Sequence, residues 1–229
     1  QNLLITAGGM LAAGAIGVVL EGGIEVRSVV SQGCRPVGKP WVVTACQEFM
    51  VHKLGGKPAL DVLMETIHEL EPVDRKLFQR APFIGVAVDA SKSTFERGDF
   101  LVRNVRGAAK PEKAIAITDV LRRGQTVQFL VRDAASATED LTQLMATQGG
   151  GALDRTRDPH GAGALLFSCN GRGSRMFENP DHDITCVRVG LDKQVPVAGF
   201  FAQGEIGPIG GRNFLHGYTA SIAVFRPRI

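Results

Sequence analysis

The sequence predicts an α+β fold with mixed or antiparallel sheets and two or three helices. About ten short apolar segments rich in Val, Ile and Phe recur along the chain, separated by Gly- and Pro-containing turns. Only two segments show a clear helical period, and a third is shorter. The strand-like segments come in runs and do not alternate regularly with helices, which favours an α+β architecture.

The strand-like segments begin near the N-terminus. Residues Gly14–Leu20 and Ile24–Ser31 are apolar and β-branched, and the turn Glu21–Gly23 separates them, so we expect a hairpin there. Residues Gln148–Gly163 are rich in Gly, Asp and Arg and are expected to form a surface loop. The remaining strand-like segments are Trp41–Gln47, Phe49–Leu54, Ala81–Ala90, Asp99–Val105, Lys113–Thr118, Gln125–Asp133, Gly163–Gly173, Val195–Gly211 and Phe214–Pro227.

The helical segments are fewer. From Pro58 to Leu70 apolar residues recur every three or four positions, and Pro72 is expected to end this helix. A second helix is expected over Ser136–Thr147, where Ser136 and Glu139 have the spacing of a capping box. A third, shorter helix is expected near Asp183–Gly190.

The composition excludes several functional classes. The 229 residues are 44% apolar and 21% charged, as in a globular protein with a sizeable core. The net charge is only +3 and aromatic residues are few, so we expect no nucleic-acid binding, which needs clustered basic residues and aromatic stacking. The longest apolar stretch, Met10–Leu20, is too short to span a bilayer and has no basic flank before it, so we expect neither a membrane span nor a signal peptide.

The four cysteines bear on the compartment. Cys34, Cys46, Cys169 and Cys186 have no C-x-x-C spacing, and a chain with a core of this size does not need disulfides. We therefore expect reduced thiols in a soluble intracellular protein, most simply in the cytoplasm. The sequence starts at Gln1, within what reads as folded sequence. A processed precursor, targeted to a chloroplast or mitochondrion, or a part of a longer protein would explain that start.

One stretch, GCRPVGKP at Gly33–Pro40, has most of the G-x-x-x-x-G-K pattern of a nucleotide-binding P-loop. Pro40 stands where the pattern needs a hydroxyl to hold Mg²⁺, and Pro36 removes an amide donor. The residues that follow are β-branched, whereas a P-loop opens a helix whose first amides bind phosphate. We interpret the stretch as a turn between two strands.

Four residues could in principle ligate a metal. His182 and Cys186 are four residues apart, and His160 and Cys169 lie upstream, but this spacing matches no common zinc pattern. We expect no metal and no cofactor.

A nucleophilic site is the other catalytic alternative. Cys169 or Ser168 could act with His216 as base and Glu205 as carboxylate, although the sequence around them lacks the G-x-S-x-G form of a nucleophile elbow. A thiol beside Arg172 would have a lowered pKa. A buried cysteine at the end of a strand is the simpler interpretation, and we expect no enzyme.

Two segments share a pattern that suggests a binding site. GALLFSCNGRG and GFFAQGEIGP each place an apolar strand before a glycine-rich turn that carries one charged residue, Arg172 or Glu205. The two residues could form an ion pair that locks the turns. They could equally line a pocket, with glycines that let a ligand approach the backbone. Chemistry alone leaves both interpretations open.

The same two segments resemble the C-terminal domain of the FIST family. That family shows a strand ending in C-x-G-R, then P-x-x-G-F-F/Y-x-x-G-E-I-x-P, then a strand that starts with Thr and a small residue. QGCRPVGKPWVVT and GGKPALDVL also fit, and the match extends over Gly14–Phe225. By this resemblance, residues 1–38 are the end of the N-terminal FIST half and residues 39–229 are the C-terminal FIST domain. The matching positions are Cys169, Gly171, Arg172, Gly199, Phe200, Gly204, Glu205, Pro208 and Thr219.

The resemblance implies a non-enzymatic sensory module of signal transduction that binds a small molecule such as an amino acid. We expect Arg172 to bind an anionic group and Glu205 to face an amine or to close the pocket. The alternative is a structural or adaptor subunit that binds a protein partner within a larger assembly. The ligand-binding residues expected from the resemblance are Cys169, Asn170, Gly171, Arg172, Phe200, Gly204, Glu205 and Thr219.

Overall fold

The computed structural model describes residues 3–147, 163–191 and 195–228, and they form an α+β fold, as the sequence predicts. The helices in this part of the chain are α1 (Ala59–Glu69), α2 (Pro72–Arg80), α3 (Ala134–Thr147) and α4 (His182–Leu191), with a 3-10 turn at Gly173–Arg175. The strands are β1 (Leu4–Thr6), β2 (Gly9–Leu11), β3 (Ile24–Ser31), β4 (Cys34–Gln47), β5 (Met50–Leu54), β6 (Lys57–Pro58), β7 (Phe83–Ala87), β8 (Phe100–Ala109), β9 (Ala114–Ile117), β10 (Thr126–Arg132), β11 (Gly163–Cys169), β12 (Val197–Ala202), β13 (Glu205–Ile209), β14 (Arg212–His216) and β15 (Ala220–Pro227).

The first sheet is closed and barrel-like. Its strands follow the order β4-β10-β7-β8-β9-β5-β6, and β5 pairs again with β4. β4 serves both neighbours because it is 14 residues long: residues up to Val42 pair with β10, and residues from Val43 pair with β5. Helices α1 and α2 pack on this sheet, and one apolar core joins them. Within it Phe78 of α2 meets Phe129 of β10 edge to face, with ring centroids 5.5 Å apart.

The second sheet carries the residues of functional interest. Its order is β12-β11-β15-β3, with β11 and β12 parallel and the other pairs antiparallel. A parallel pair needs a crossover connection, and α4 lies in that connection. Helices α3 and α4 pack together, and their buried residues Met145 and Val187 share a core with Leu166 and Ile222 of the sheet. The hairpin β13–β14 packs against β3.

The hairpin predicted at Gly14–Leu20 and Ile24–Ser31 is wrong. Gly14–Leu20 forms no strand and its side chains are exposed, whereas Ile24–Ser31 forms β3 and pairs with β15. The partner of β3 thus lies at the far end of the chain. Local alternation finds a strand but does not identify a partner that is distant in sequence.

The predicted turn at Gly33–Pro40 is also wrong, because most of this stretch belongs to β4. Gly33 connects β3 to β4 with φ of +64°. Gly38, with φ of +62°, lies in a bulge where three β4 residues between Val37 and Trp41 oppose one residue of β10. A strand follows the glycines instead of a helix, so the stretch lacks the helix N-terminus of a P-loop.

The helix ends differ from their predictions in two places. Leu70 caps α1, and Pro72 begins α2, a helix that the sequence analysis missed, because proline also suits the first helical turn. The cap of α3 comes from Asp133, whose carboxylate accepts from the Ser136 amide at 2.7 Å and its hydroxyl at 2.9 Å. The predicted capping box of Ser136 and Glu139 is therefore wrong, and Glu139 pairs with Arg97.

The remaining predictions concern the third helix, the C-terminal strand, the long loop and the cysteines. The short helix near Asp183–Gly190 is confirmed as α4. Phe214–Pro227 forms two strands, β14 and β15, and the loop predicted at Gln148–Gly163 lies almost wholly outside the described residues. All four cysteines are free, and none of the helices described is long and apolar enough to cross a membrane.

Candidate functional site

The predicted site residues gather where β11 and β12 end. The turn after β11 is tied to its neighbours by backbone hydrogen bonds: the Cys169 amide donates to Thr219 at 2.9 Å, and the Asn170 amide donates to Ala202 at 2.8 Å. The structure therefore brings together the turn at Asn170–Arg172 and the segment before β15. Both were expected at the site.

Arg172 is the last residue of this turn, and its side chain is fully buried. Its guanidinium forms a bidentate ion pair with Asp183 of α4, with Nε 2.7 Å from Oδ2 and Nη2 2.8 Å from Oδ1. An ion pair between Arg172 and Glu205 was one of two interpretations left open by the sequence, and the structure pairs Arg172 with Asp183 instead. Sequence reasoning placed Asp183 in a helix but gave it no role.

Asp183 receives further hydrogen bonds. Ser168 donates to Oδ2, and Nδ1 of His182 lies 2.9 Å from Oδ1. Burial alone would raise the pKa of Asp183, but the hydrogen bonds and charge of Arg172 outweigh it and hold the pKa at about 2. The Asp183 side chain is therefore ionised at neutral pH, and contacts with Arg172, Ser168 and His182 fix its orientation.

Glu205 has a different environment. It is 2% exposed, and its Oε2 accepts from the Thr219 hydroxyl at 2.9 Å and from the Thr219 amide at 3.3 Å. Its Oε1 accepts from the Gly204 amide at 3.2 Å. Glu205 thus joins the turn after β12 to the segment before β15. Glu205 therefore holds two turns together through hydrogen bonds to Thr219, and not through an ion pair with Arg172.

A second arginine, which is half-buried, supports the same turns and was missed by sequence reasoning. Arg132, at the end of β10, donates to the carbonyls of Gly171 at 3.3 Å and Tyr218 at 3.4 Å and lies over the Tyr218 ring. Burial lowers the pKa of Arg132, and burial also raises the pKa of the nearby Cys34 thiol to about 12. Arg132 holds the turn after β11 against the end of β10.

A cavity of about 290 Å³ opens between β12 and the start of α4. Gly199 is central to it: a Cβ at this position would lie 1.8 Å from the Leu166 carbonyl oxygen, so only glycine lets β12 run this close to β11. The cavity is lined by Leu166, Ser168, Pro180, Asp181, Asp183, Ile184 and Val197–Phe201.

Of the predicted ligand-binding residues, Phe200 lines this cavity. Arg172 is not in the lining, but it fixes the carboxylate of Asp183, a residue that is. The cavity lining does not include Cys169, Asn170, Gly171, Gly204, Glu205 or Thr219. Sequence reasoning missed Asp181, Ile184 and Phe201, although the Asp-His-Asp run after Pro180 at the start of a helix was a usable signal.

Several of the residues considered for nucleophilic catalysis and for metal binding form hydrogen bonds with groups outside those two candidate sites. The Cys169 sulfur accepts from the Gly171 amide at 3.4 Å, and Nε2 of His216 lies 2.9 Å from the Gly207 carbonyl oxygen. Nε2 of His182 lies 3.7 Å from the Cys186 sulfur but 2.8 Å from the Thr138 hydroxyl. His160, the remaining metal-ligand candidate, lies outside the described residues.

Comparisons with known proteins define the class of this protein: the chain belongs to the FIST family. The FIST C domain model matches residues 59–208, and the FIST N domain model matches residues 1–57. FIST domains are in general sensory modules of signal transduction.

The individual relatives are mycobacterial. The uncharacterized protein Mb0898c of Mycobacterium bovis is 45% identical over 216 residues, which cover 94% of this chain and 54% of the relative. The uncharacterized protein Rv0628c of Mycobacterium tuberculosis is also 45% identical over 216 residues, covering 94% of this chain and 55% of the relative. The chain spans about half the length of these curated relatives. No solved structure matches it.

Proposed function

We propose that the protein is a non-enzymatic sensory module that binds a small molecule with an ammonium group and an apolar body, such as an amino acid. The proposed site is the cavity between β12 and α4. The observation that carries the proposal is an open cavity that combines apolar walls with two acidic residues, Asp181 and Asp183.

The walls and size of the cavity suit a small ligand. Leu166, Ile184, Val197 and the two phenylalanines supply apolar surface, and the volume of about 290 Å³ is near the lower end for ligand pockets. A ligand of amino-acid size fits that description better than a nucleotide does.

The polar groups favour a cation. Two carboxylates, those of Asp181 and Asp183, line the cavity, and the Arg172 guanidinium compensates only Asp183. Asp181 is exposed beside the start of α4. The oxygens of Asp183 already accept from Arg172 and Ser168. Asp181 is therefore the residue that binds the ammonium group, and Asp183 and Ser168 form a rigid polar floor.

This assignment changes the roles first expected for the two charged motif residues. Arg172 acts as a positioning residue that holds Asp183, instead of binding an anionic ligand group. Glu205 holds two turns in place through Thr219, instead of facing an amine.

The test is a thermal-shift screen of amino acids and simple amines on the wild type, followed by calorimetric titration of any hit. A ligand at 100 times its Kd stabilises the folded state by about 2.7 kcal/mol. Asp181→Asn is expected to weaken binding roughly tenfold or more, because it removes a charge-assisted hydrogen bond. Glu69→Gln, a neutralised exposed carboxylate on α1, is the control.

The outcomes separate clearly. Binding that is weakened by Asp181→Asn and unchanged by Glu69→Gln supports the proposed site. Equal affinity in the wild type and Asp181→Asn, or no stabilisation by any amine, contradicts it.

A second candidate function is that of an adaptor subunit, and one observation favours it. Phe200 and Phe201, adjacent on β12, are 64% and 55% exposed. Neighbouring exposed aromatic side chains of this kind mark protein interaction surfaces.

A further inference from the structure

β12 is an unprotected strand at the edge of a sheet. Among the described residues it pairs with β11 alone, and its residues Ala198–Phe201 are exposed. Its sequence, VAGFFA, contains no charge and no proline, and its register with β11 runs without a bulge. Natural proteins usually block such an edge with charges, prolines or bulges, because its free backbone groups can pair with another strand.

The opposite edge of the same sheet shows that protection. β3 carries Glu25 and Arg27, whose side chains are 2.8 Å apart, and Arg226 of the neighbouring strand binds Glu25 at 2.9 Å. The hairpin β13–β14 also packs against β3. Of the two edges of this sheet, β12 is therefore the one whose described residues could pair with an added strand.

The backbone of β12 has a defined set of outward-facing groups. The carbonyls of Pro196 and Ala202 accept from β11 and the residue after it, at 3.0 and 2.8 Å. In a parallel ladder alternate residues bond to one neighbour, so the amides and carbonyls of Val197, Gly199 and Phe201 point to the open edge. These groups can form a ladder with an added strand.

The two faces of β12 determine what an added strand would carry. Phe200 is opposite Phe167 and their rings pack edge to face at 5.3 Å, so one face is aromatic. Phe201 is opposite Ser168 and lies on the face of the amine-binding cavity. Side chains of an added strand alternate between these faces.

We propose that β12 binds an extended segment of a partner protein, in which apolar residues contact the Phe167–Phe200 pair and an alternating lysine enters the cavity beside Asp181. This inference rests on the proposed amine-binding function and names its ligand as a lysine side chain held by strand addition. The lysine stem meets Val197 and Ile184, and its ammonium group meets the carboxylate of Asp181.

The test compares four probes by calorimetry and fluorescence anisotropy. They are free lysine, an eight-residue peptide of alternating Val and Lys, the same peptide with norleucine for Lys, and the same peptide with alternate backbone nitrogens methylated. Methylation keeps the side chains but removes the amides that pair with β12. We expect the Val-Lys peptide to bind at least roughly tenfold tighter than free lysine, and both altered peptides to lose that gain.

Protein variants provide the second arm. Phe200→Lys places a charge on the edge. Because Phe200 also lines the cavity, both affinities are measured in the same variant, and the ratio of peptide to free-lysine affinity is expected to fall to about one. Phe49→Lys is the matched control, since Phe49 is 55% exposed and lies in the turn between β4 and β5 of the other sheet. We expect it to leave peptide binding unchanged.

Several results would overturn the inference. If free lysine binds and the Val-Lys peptide binds no tighter, strand addition is wrong and the amine-binding cavity stands. If neither binds, the lysine assignment fails, and the amine-binding proposal stands or falls with the thermal-shift screen of the other amines. Strand addition is also contradicted if the methylated peptide binds as tightly as the unmethylated one, or if Phe49→Lys weakens peptide binding as much as Phe200→Lys does. A dimer of this chain in sedimentation analysis that is lost in Phe200→Lys would show that β12 pairs with a second copy instead of a partner segment.

Discussion

The ion pair between Arg172 and Asp183 gives the sharpest prediction. The Arg172 side chain is 0% exposed and that of Asp183 is 6% exposed, and two hydrogen bonds of 2.7 and 2.8 Å join them. Arg172→Met leaves the Asp183 carboxylate buried with only Ser168 and His182 as partners. Breaking a buried pair in this way costs about 3–5 kcal/mol of the free energy of unfolding.

The assay is urea denaturation followed by circular dichroism, with a double-mutant cycle. Arg172→Met combined with Asp183→Leu is expected to cost less than the sum of the single changes, because no charge is then left unpaired. The control is Lys57→Met. Lys57 forms an ion pair with Glu65, and the two side chains are 52% and 48% exposed. That change is expected to cost at most about 1 kcal/mol.

The reasoning fails if Arg172→Met costs no more than Lys57→Met. It also fails if the two changes at Arg172 and Asp183 are additive, since additivity means that the residues do not interact. The same variant bears on function, because loss of Arg172 frees the carboxylate that forms the cavity floor.

Three further predictions concern acid stability, packing and thiol reactivity. The folded-state pKa of Asp183 is about 2, below the ordinary 3.8, so its contribution to stability is present above the ordinary pKa and is lost as the pH falls from about 5 toward 2. Burial lowers the pKa of His216 below 6.5, so acidification through that value also destabilises the fold; urea midpoints measured against pH check both groups, and His216→Gln should remove the upper step. Gly199→Ala is expected to cost at least about 2 kcal/mol in the same assay, because its Cβ meets the strand backbone, whereas Gly107→Ala, with open space around it, should change stability by about 0.5 kcal/mol or less. The Cys34 thiol, with its pKa raised to about 12, should resist thiol labelling near pH 8 in the native protein and react after unfolding, and fast native labelling would contradict its burial.

Much of the secondary structure follows from local pattern. The strands β7, β9 and β10 and the helices α1 and α4 lie where alternation and helical periodicity place them. These elements are short-range features, so the side chains that define them are neighbours in sequence. The same reasoning fails for Pro72, since a proline suits both the end of one helix and the first turn of the next.

The candidate site was only partly predictable. The family motif directed attention to Arg172 and Glu205, and both are indeed buried charged residues. Their partners, Asp183 and Thr219, depend on how α4 and β15 pack against the second sheet, which no local pattern states. Gly199, a residue of the cavity lining, permits a close approach of two strands, and that contact depends on a strand pairing that the local sequence does not reveal.

The central claim is that an amine binds between β12 and α4, and an NMR titration tests it most directly. Uniformly ¹⁵N-labelled protein is titrated with the best amine from the thermal-shift screen, and amide shift changes are mapped along the chain. The account predicts that the largest changes cluster at Asp181, Ile184, Gly199 and Phe201, the residues that line the cavity. Changes centred instead on the turns at Gly171 and Gly204, or the absence of saturable changes in β12 and α4, would contradict it.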